Sequence, residues 1–434
     1  MNNKTADIIL TALSRGVPPR KSAEKIIVGR TKEVESFESD FNDVVSGGGA
    51  CRFIVGRYGS GKSFLKFIVR DRALKSGFIT MDADLSNERR LSGSRKEGLH
   101  TYRELITRMS NKGSRDGGAL QPILQEWLFS IRDNVAASLG CEPKNVPLIK
   151  INTEIELLTQ PMAHLTYYQD FISMIEKYWS YYSSGILLNP AIRWLQGEYE
   201  TVMDVRRDLD MRQYINNDNW FDFIKLWSEF VNIIGYKGLI VFIDEAVIIS
   251  RLSSPVARKN NYEKILSMYN CINEGYSKYL AVYFCGTDEF VTDDRRGMFS
   301  YDALKSRVVP GRYEVDYSNF MGPIINLRLL TADEIAALLQ IIFDIHKQRH
   351  NTNLEFTLDM YQTYLNQLNS SLGYGKFLTP REISRDFISL LDRLHNDPST
   401  SFEEQIKGRS VSIDVDPNEK AEFDDPIERK VIVS

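Results

Sequence analysis

Apolar residues along this chain fall into two patterns, short unbroken runs and longer stretches at helical spacing, and the two alternate. Residues 1–20 read as a short helix that stops at Gly16 and is broken by Pro18 and Pro19, predicted to lie across the face of the next elements. After Ile26-Ile27-Val28-Gly29-Arg30, Thr31 has the chemistry of an N-cap, and Val34, Phe37 and Phe41 share a helical face until Gly47-Gly48-Gly49 ends it. Residues 51–55 are a short β-branched and aromatic run, hence a strand, and helix resumes at Lys62. A second strand fits 78–81, ending at Asp82 and Asp84; residues 86–118 are polar and rich in Arg and Lys, and read as loop plus helix. From 120 to 234 the spacing is helical, with aromatic and Leu residues at i, i+3 and i+4 in 167–181 and 220–234.

Residues 239–243 and 280–285 are unbroken apolar runs, as central parallel strands covered on both faces require, and 324–327 is a fifth strand. Strands separated by helical stretches predict an α/β fold, a doubly wound parallel five-stranded sheet with a large helical insertion at 98–235. Thr331 caps a helix whose apolar face is Ile335, Leu338, Leu339 and Ile342, and two more helices span 357–372 and 380–394. The expected organisation is an N-terminal helix and linker at 1–25, a sheet domain at 26–330, a helical lid domain at 331–395 and a disordered acidic tail at 396–434. Asp414, Asp416, Glu419, Glu422, Asp424 and Asp425 dominate that tail.

With 434 residues, 43% of them hydrophobic, the chain can bury one large core and one or two smaller ones, which excludes disorder throughout. A formal net charge of -4 argues against a surface built everywhere to coat nucleic acid, though it leaves room for a local basic patch. Cys51, Cys141, Cys271 and Cys285 lack the paired spacing of a disulfide framework or zinc site, which fits a reducing compartment; cytoplasm is the expected location. The first residues lack a signal peptide's basic start and continuous apolar stretch, and the apolar segment 239–249 is interrupted by Asp244 and Glu245 and too short to cross a bilayer. No membrane role is expected.

The strongest chemical signal is Gly56-Arg57-Tyr58-Gly59-Ser60-Gly61-Lys62-Ser63, with Phe64 next to it. A triphosphate needs many donors close to its oxygens, and Gly56, Gly59 and Gly61 let the backbone curl so that successive N–H groups face inward, with helix N-terminal polarity adding attraction. Lys62 can reach the β- and γ-phosphates, and the Ser63 hydroxyl is placed to ligate magnesium. At a glycine usage of about 7%, a random chain of this length matches such a pattern on the order of one to two times in a hundred. The strand before and helix after make coincidence rarer still. The expected ligands are ATP and Mg2+.

The second signal is the apolar run 239–243 delivering Asp244 and Glu245 to the carboxyl end of a buried strand. Asp244 is expected to hold magnesium through water and Glu245 to orient or deprotonate the attacking water of an in-line phosphoryl transfer. An acidic pair capping the next helix is the plainer reading. Thr287, after Tyr283-Phe284-Cys285-Gly286, is a candidate γ-phosphate or water contact, with Asp288 second and a strand-ending turn as the alternative. Arg307 is a candidate charge-stabilising finger for a neighbouring subunit's nucleotide, or a solvated helix-end arginine. Arg381, after Pro380 at a helix start, is electrostatically unfavourable as an ordinary first-turn residue and is a candidate nucleotide sensor.

Arg89, Arg90, Arg95, Lys96, Arg103, Arg108, Lys112 and Arg115 concentrate positive charge in 89–115, which allows DNA contact, although Glu88, Glu97, Glu104 and Asp116 dilute it and favour a solvated or partner-facing loop. His346 and His350 stand at i and i+4 without the glutamate of a metalloprotease motif and read as a polar helix face.

In order and type these motifs resemble the AAA+ superfamily, especially its origin-recognition and signal-transducing (STAND-like) branch. Val28-Gly29-Arg30-Thr31-Lys32-Glu33 resembles the family's signature near the adenine, and Thr379-Pro380-Arg381-Glu382 its second sensor. More narrowly, the arrangement, with a helix before Pro18-Pro19 and a long helical insertion, resembles the ATP-binding proteins of BREX-type phage-defence loci. The resemblance covers 26–394, with no recognisable motif in 120–234. It implies Mg-ATP hydrolysis that drives or gates a conformational change, Val28, Gly29 and Arg30 beside the nucleotide, and work with other proteins of a defence or DNA-processing assembly, helicase-like ones among them. It also allows a homo-oligomer, but no second arginine adjoins Arg307 in an unambiguous finger motif. The alternatives are a nucleotide-sensing DNA-binding or loader ATPase outside defence, and an ATP-binding switch with little hydrolysis. A small-molecule kinase lacks a strand ending in Asp-Glu, and no Asn-Lys-x-Asp guanine signature stands where a GTPase needs one.

Overall fold

The apolar runs of the sequence become neighbouring strands of one parallel sheet. The computed structural model describes residues 1–20, 22–186, 188–309, 320–352, 354–371 and 379–406. Its first half runs α1 (Asn3–Ser14), α2 (Thr31–Val45), β1 (Gly49–Val55), α3 (Lys62–Lys75), β2 (Ile79–Asp84), α4 (Glu97–Thr107), α5 (Leu120–Leu139), α6 (Leu148–Thr159), α7 (Tyr168–Ser183), α8 (Pro190–Leu195), α9 (Val202–Leu209) and α10 (Trp220–Ile233). It continues with β3 (Leu239–Asp244), α11 (Val247–Arg251), α12 (Pro255–Asn273), β4 (Leu280–Gly286), α13 (Asp288–Thr292), α14 (Asp302–Val308), β5 (Ile324–Asn326), α15 (Ala332–His350), α16 (Leu358–Ser371), α17 (Pro380–Asn396) and α18 (Phe402–Ile406).

The five strands lie in the order β2-β3-β4-β1-β5, every neighbouring pair parallel. This is the expected α/β architecture, an AAA+-like sheet with extensive helical regions. Because all strands run one way, their carboxyl ends line one edge: Val55 is in register with Gly286, and Asp84 with Asp244. In open α/β sheets that edge is where ligands bind. β3 and β4 are buried along their whole length, which is why they read as unbroken apolar runs rather than as alternation. β2 extends past its apolar core because its acids have partners: Arg70 reaches Asp82 at 2.7 Å, and Arg108 reaches Asp84 at 2.7 Å.

The chain divides into two compact units. The larger comprises residues 32–55 and 69–326. There Phe37 of α2 meets Tyr283 edge-on at 4.9 Å, and Phe53 stacks on Phe284 at 5.4 Å. Each such ring, removed from water, contributes about 1.5–3 kcal/mol. Beneath α2, the Arg52 guanidinium donates through Nε to Asp40 at 3.0 Å, and the Tyr283 hydroxyl donates to the same carboxylate at 3.2 Å. The helices between β2 and β3 do not form a separate core. Trp227 and Phe171 share one cluster with Val241 and Val282, and Tyr102 of α4 ties the layers by accepting from Trp227 at 3.1 Å and donating to the Leu195 carbonyl at 2.8 Å.

The other unit comprises residues 1–31 and 56–68 and the chain from Leu327 onward. Ala6, Ile9 and Leu10 of α1 are buried with Leu339 and Ile342 of α15 and Phe387 and Leu391 of α17. Both long helices open with a capping box, Thr331 with Glu334 and Thr379 with Glu382, each satisfying donors that the first turn leaves over. Phe402 and Ile406 of α18 are buried in the same cluster. The acidic residues from Asp414 onward lie outside the described residues.

Candidate functional site

β1 hands the chain directly to the glycine-rich loop, and α3 begins at Lys62. Gly59 (φ +76°) and Gly61 (φ +101°) take left-handed conformations that a side chain rarely adopts. At Gly61 a Cβ would meet nothing, so the demand is purely conformational. At Gly56 it would stand 2.7 Å from Ser60 Oγ and 3.0 Å from the Leu327 carbonyl, so this position is also sterically closed. The Lys62 ammonium donates to the Gly56 carbonyl and, at 2.8 Å, to that of Arg57, and stands 5.3 Å from the centre of the Tyr58 ring. Ser63 is half-buried in the first turn of α3, Arg57 is exposed, and Phe64 packs against the helical core.

The Val28-Gly29-Arg30 segment braces this loop from within the same unit. Arg30 is buried, and its Nη2 donates to the Ser60 carbonyl at 2.9 Å and the Arg328 carbonyl at 2.8 Å. Its guanidinium thereby holds the loop's shape. Gly29 (φ +67°) leaves no room for a Cβ, which would lie 2.4 Å from a Glu334 carboxylate oxygen; Val28 packs against the helical core. Glu334 pairs with Arg328 at 2.6 Å, and the hydrogen bond from Arg328 holds its carboxyl down to about 2. Sequence reasoning misses this clamp, although Thr331 with Glu334 three residues later is a legible capping box. Ser60 reads from sequence only as part of the loop; its Oγ is buried with no hydrogen-bond partner among the described residues.

The Thr379-Pro380-Arg381-Glu382 motif meets the glycine-rich loop directly. A Cβ on Gly59 would lie 2.6 Å from Thr379 Cβ and Cγ2. Arg381, in the first turn of α17, is exposed, and its Cγ would stand 3.4 Å from a Cβ on Gly16 at the end of α1.

In the larger unit, β3 ends in a buried Asp244, and an exposed Glu245 comes next. The Glu245 N–H donates to Asp244 Oδ1 at 2.9 Å, and Glu245 has φ +56°. A non-glycine residue held there costs about 1–3 kcal/mol, and such strain clusters at functional sites. At the next helix Ala246 occupies the N-cap position of α11, and the Ile248 N–H donates to the Glu245 carbonyl at 3.0 Å. On the adjoining strand, Thr287 comes directly after β4, and its Oγ1 is buried with no hydrogen-bond partner among the described residues. A hydroxyl so placed is an unexplained polar group unless something else reaches it. Arg307 is exposed near the end of α14 and donates to the Ala303 carbonyl of its own helix at 3.2 Å.

Most of the basic segment is neutralised at home. Arg89 pairs with Glu104 at 2.9 Å, Lys96 and Arg103 both reach Glu200, Arg108 reaches Asp84 and Glu104, and Arg90 and Arg115 pair with Glu97 and Asp71. Charges so paired leave little net field for a phosphate backbone to feel. His346 corrects the reading of a polar helix face: it is fully buried, its Nε2 3.0 Å from Asp392 Oδ1. Among the described residues, no helix is long and apolar enough to cross a membrane.

Comparison with curated proteins finds no match. The family model described as BREX system ATP-binding protein BrxC/D, by contrast, matches residues 1–410. A match over so much of the chain, joined to a parallel sheet and a glycine-rich turn between strand and helix, places this protein within the BrxC/D family of BREX system ATP-binding proteins.

Proposed function

We propose that this protein binds Mg-ATP at the glycine-rich loop and hydrolyses it to ADP and phosphate, gating a conformational change within a multi-protein BREX assembly. The observation that carries the reading is the strand-to-helix turn in which Gly59 and Gly61 are both left-handed and Lys62 opens the helix. Left-handed glycines in a turn of this kind allow backbone N–H groups to face an anion, and the start of the helix adds its positive end. Lys62 is assigned to the β- and γ-phosphates; Gly56, Arg57, Tyr58, Gly59, Ser60, Gly61 and Phe64 shape the cradle, and Val28, Gly29 and Arg30 flank it.

The donor set suits magnesium, a hard ion that takes oxygen ligands: the Ser63 hydroxyl and the Asp244 carboxylate. Magnesium would neutralise charge on the transferring phosphoryl group. Glu245, exposed beside a buried Asp244, is assigned to the attacking water as general base, and the orphaned Thr287 hydroxyl to the water or the γ-phosphate. Arg381 is the sensor carried by α17, and Arg307 the residue offered to a neighbouring copy.

The test is a pair of substitutions in the full chain. Lys62→Ala should abolish ATP binding, and Glu245→Gln should keep binding while slowing turnover by about 10²-fold or more, as removal of a general base does. Unchanged ATP affinity in the first variant, or wild-type turnover in the second, overturns the corresponding assignment.

A further inference from the structure

The face between α15 and α17 gathers chemistry that the nucleotide reading does not use. His346 and His350 stand one turn apart on α15, and Asp392 and His395 occupy neighbouring positions on α17. Three of the chain's five histidines therefore converge on one spot. The rings of His346 and His350 stack at 4.4 Å, and His395 lies 4.6 Å from His350. One ligand atom from each of His346, His350 and Asp392 lies within 4.8 Å of the others.

We propose that His346, His350 and Asp392 form a divalent transition-metal site of the zinc class that pins α15 to α17. Two imidazoles and a carboxylate are a donor set for zinc and its neighbours rather than for magnesium or calcium, which want oxygen alone. Zinc holds such donors at about 2.0–2.2 Å, which sets tetrahedral ligands roughly 3.3 Å apart. The 3.0 Å between His346 Nε2 and Asp392 Oδ1 needs only a small opening to meet that. The spacing i, i+4 puts both rings on one helix face, and the carboxylate comes from the opposing helix, so the ion would bridge two elements rather than decorate one.

One observation separates this cluster from a solvated polar face. His346 is fully buried, so packing holds one donor of the cluster, its Nε2, out of bulk water and against Asp392. His350 and Asp392 are only partly buried, which gives an ion a way in and leaves a fourth position for water.

The experiment uses the full chain, stripped with chelator and dialysed into excess Mg2+ without nucleotide, titrated with Co2+ and then Zn2+. The expected result is one equivalent of Co2+ with the strong visible ligand-field bands of a four-coordinate N/O site, bleached by Zn2+, and a rise in Tm with either metal. His350→Ala and Asp392→Asn, both at partly exposed positions, should each weaken binding by about tenfold to a hundredfold or more and abolish the rise in Tm. His164→Ala and Cys141→Ser, far along the chain in the helical insertion, should leave both unchanged. Absence of the bands, or binding that survives both ligand substitutions, overturns the proposal. Lys62→Ala should keep the metal, so loss of ATP binding and loss of this site are separately visible.

Discussion

Gly59 in the glycine-rich loop and Thr379 at the head of α17 are in contact so close that a single added methyl on Gly59 would fall 2.6 Å from the threonine's Cβ. The two residues are far apart in sequence, but Thr379 is the N-cap that orients the turn carrying Arg381. The loop and the start of α17 are therefore in direct contact, with no intermediary.

Gly59→Ala should weaken ATP binding by at least about tenfold, roughly 1.4 kcal/mol, because the new Cβ both meets Thr379 and needs an unfavourable φ of +76°. Equilibrium titration with a fluorescent ATP analogue checks it. Wild-type affinity would show that loop shape and α17 are uncoupled.

Thr287→Val keeps the shape of a buried side chain and removes a hydroxyl that bonds to nothing among the described residues. Stability should stay within about 1 kcal/mol or rise, while ATP turnover should fall by about tenfold, a barrier increase near 1.4 kcal/mol. A loss of stability with unchanged kcat would make Thr287 a packing residue.

The Asp40–Arg52 pair beneath α2 is buried on both sides, and Arg52 also donates to the Phe320 carbonyl at 2.6 Å. Arg52→Met leaves the Asp40 carboxylate buried without its cation and should destabilise the chain by about 3–5 kcal/mol. Adding Asp40→Leu should recover most of that, since an apolar pair of similar volume replaces the ion pair. Urea unfolding of the two variants decides.

Glu334 carries a carboxyl held down to about 2 against an ordinary value of 4.5, chiefly by its hydrogen bond from Arg328. A depressed folded value means its contribution is complete above the unfolded value and is lost as pH falls toward the folded one. The stability gap between wild type and Glu334→Gln should therefore be constant at neutral pH and close between pH 4.5 and about 2. A gap that stays open at the acid end would contradict the assignment.

Much of the sheet is legible in the sequence because its determinants are local. β3 and β4 announce themselves as unbroken apolar runs, and the loop before Lys62 carries its glycines at the spacing that a curled backbone requires. The continuation of β2 through Asp82 and Asp84 is not legible, since two acids in a strand look like its end until Arg70 and Arg108 are seen to neutralise them. The histidine pair misleads for a similar reason: periodicity shows that His346 and His350 share a face, but only α17 decides that the face is buried.

What the chain's own order of residues determined is the strand–loop–helix turn, the acid-ended strand and the parallel sheet, because each comes from spacing within a few residues or from the burial that a continuous apolar run demands. What only tertiary structure decided is which distant groups close on those elements: Arg30 on the Arg328 carbonyl across 298 residues, Tyr283 on Asp40 across 243, Thr379 on Gly59, Asp392 on His346. The physical reason is that such pairs are specified by how helices and strands pack, and no local propensity distinguishes an arginine that will meet a particular carbonyl from one that will meet water.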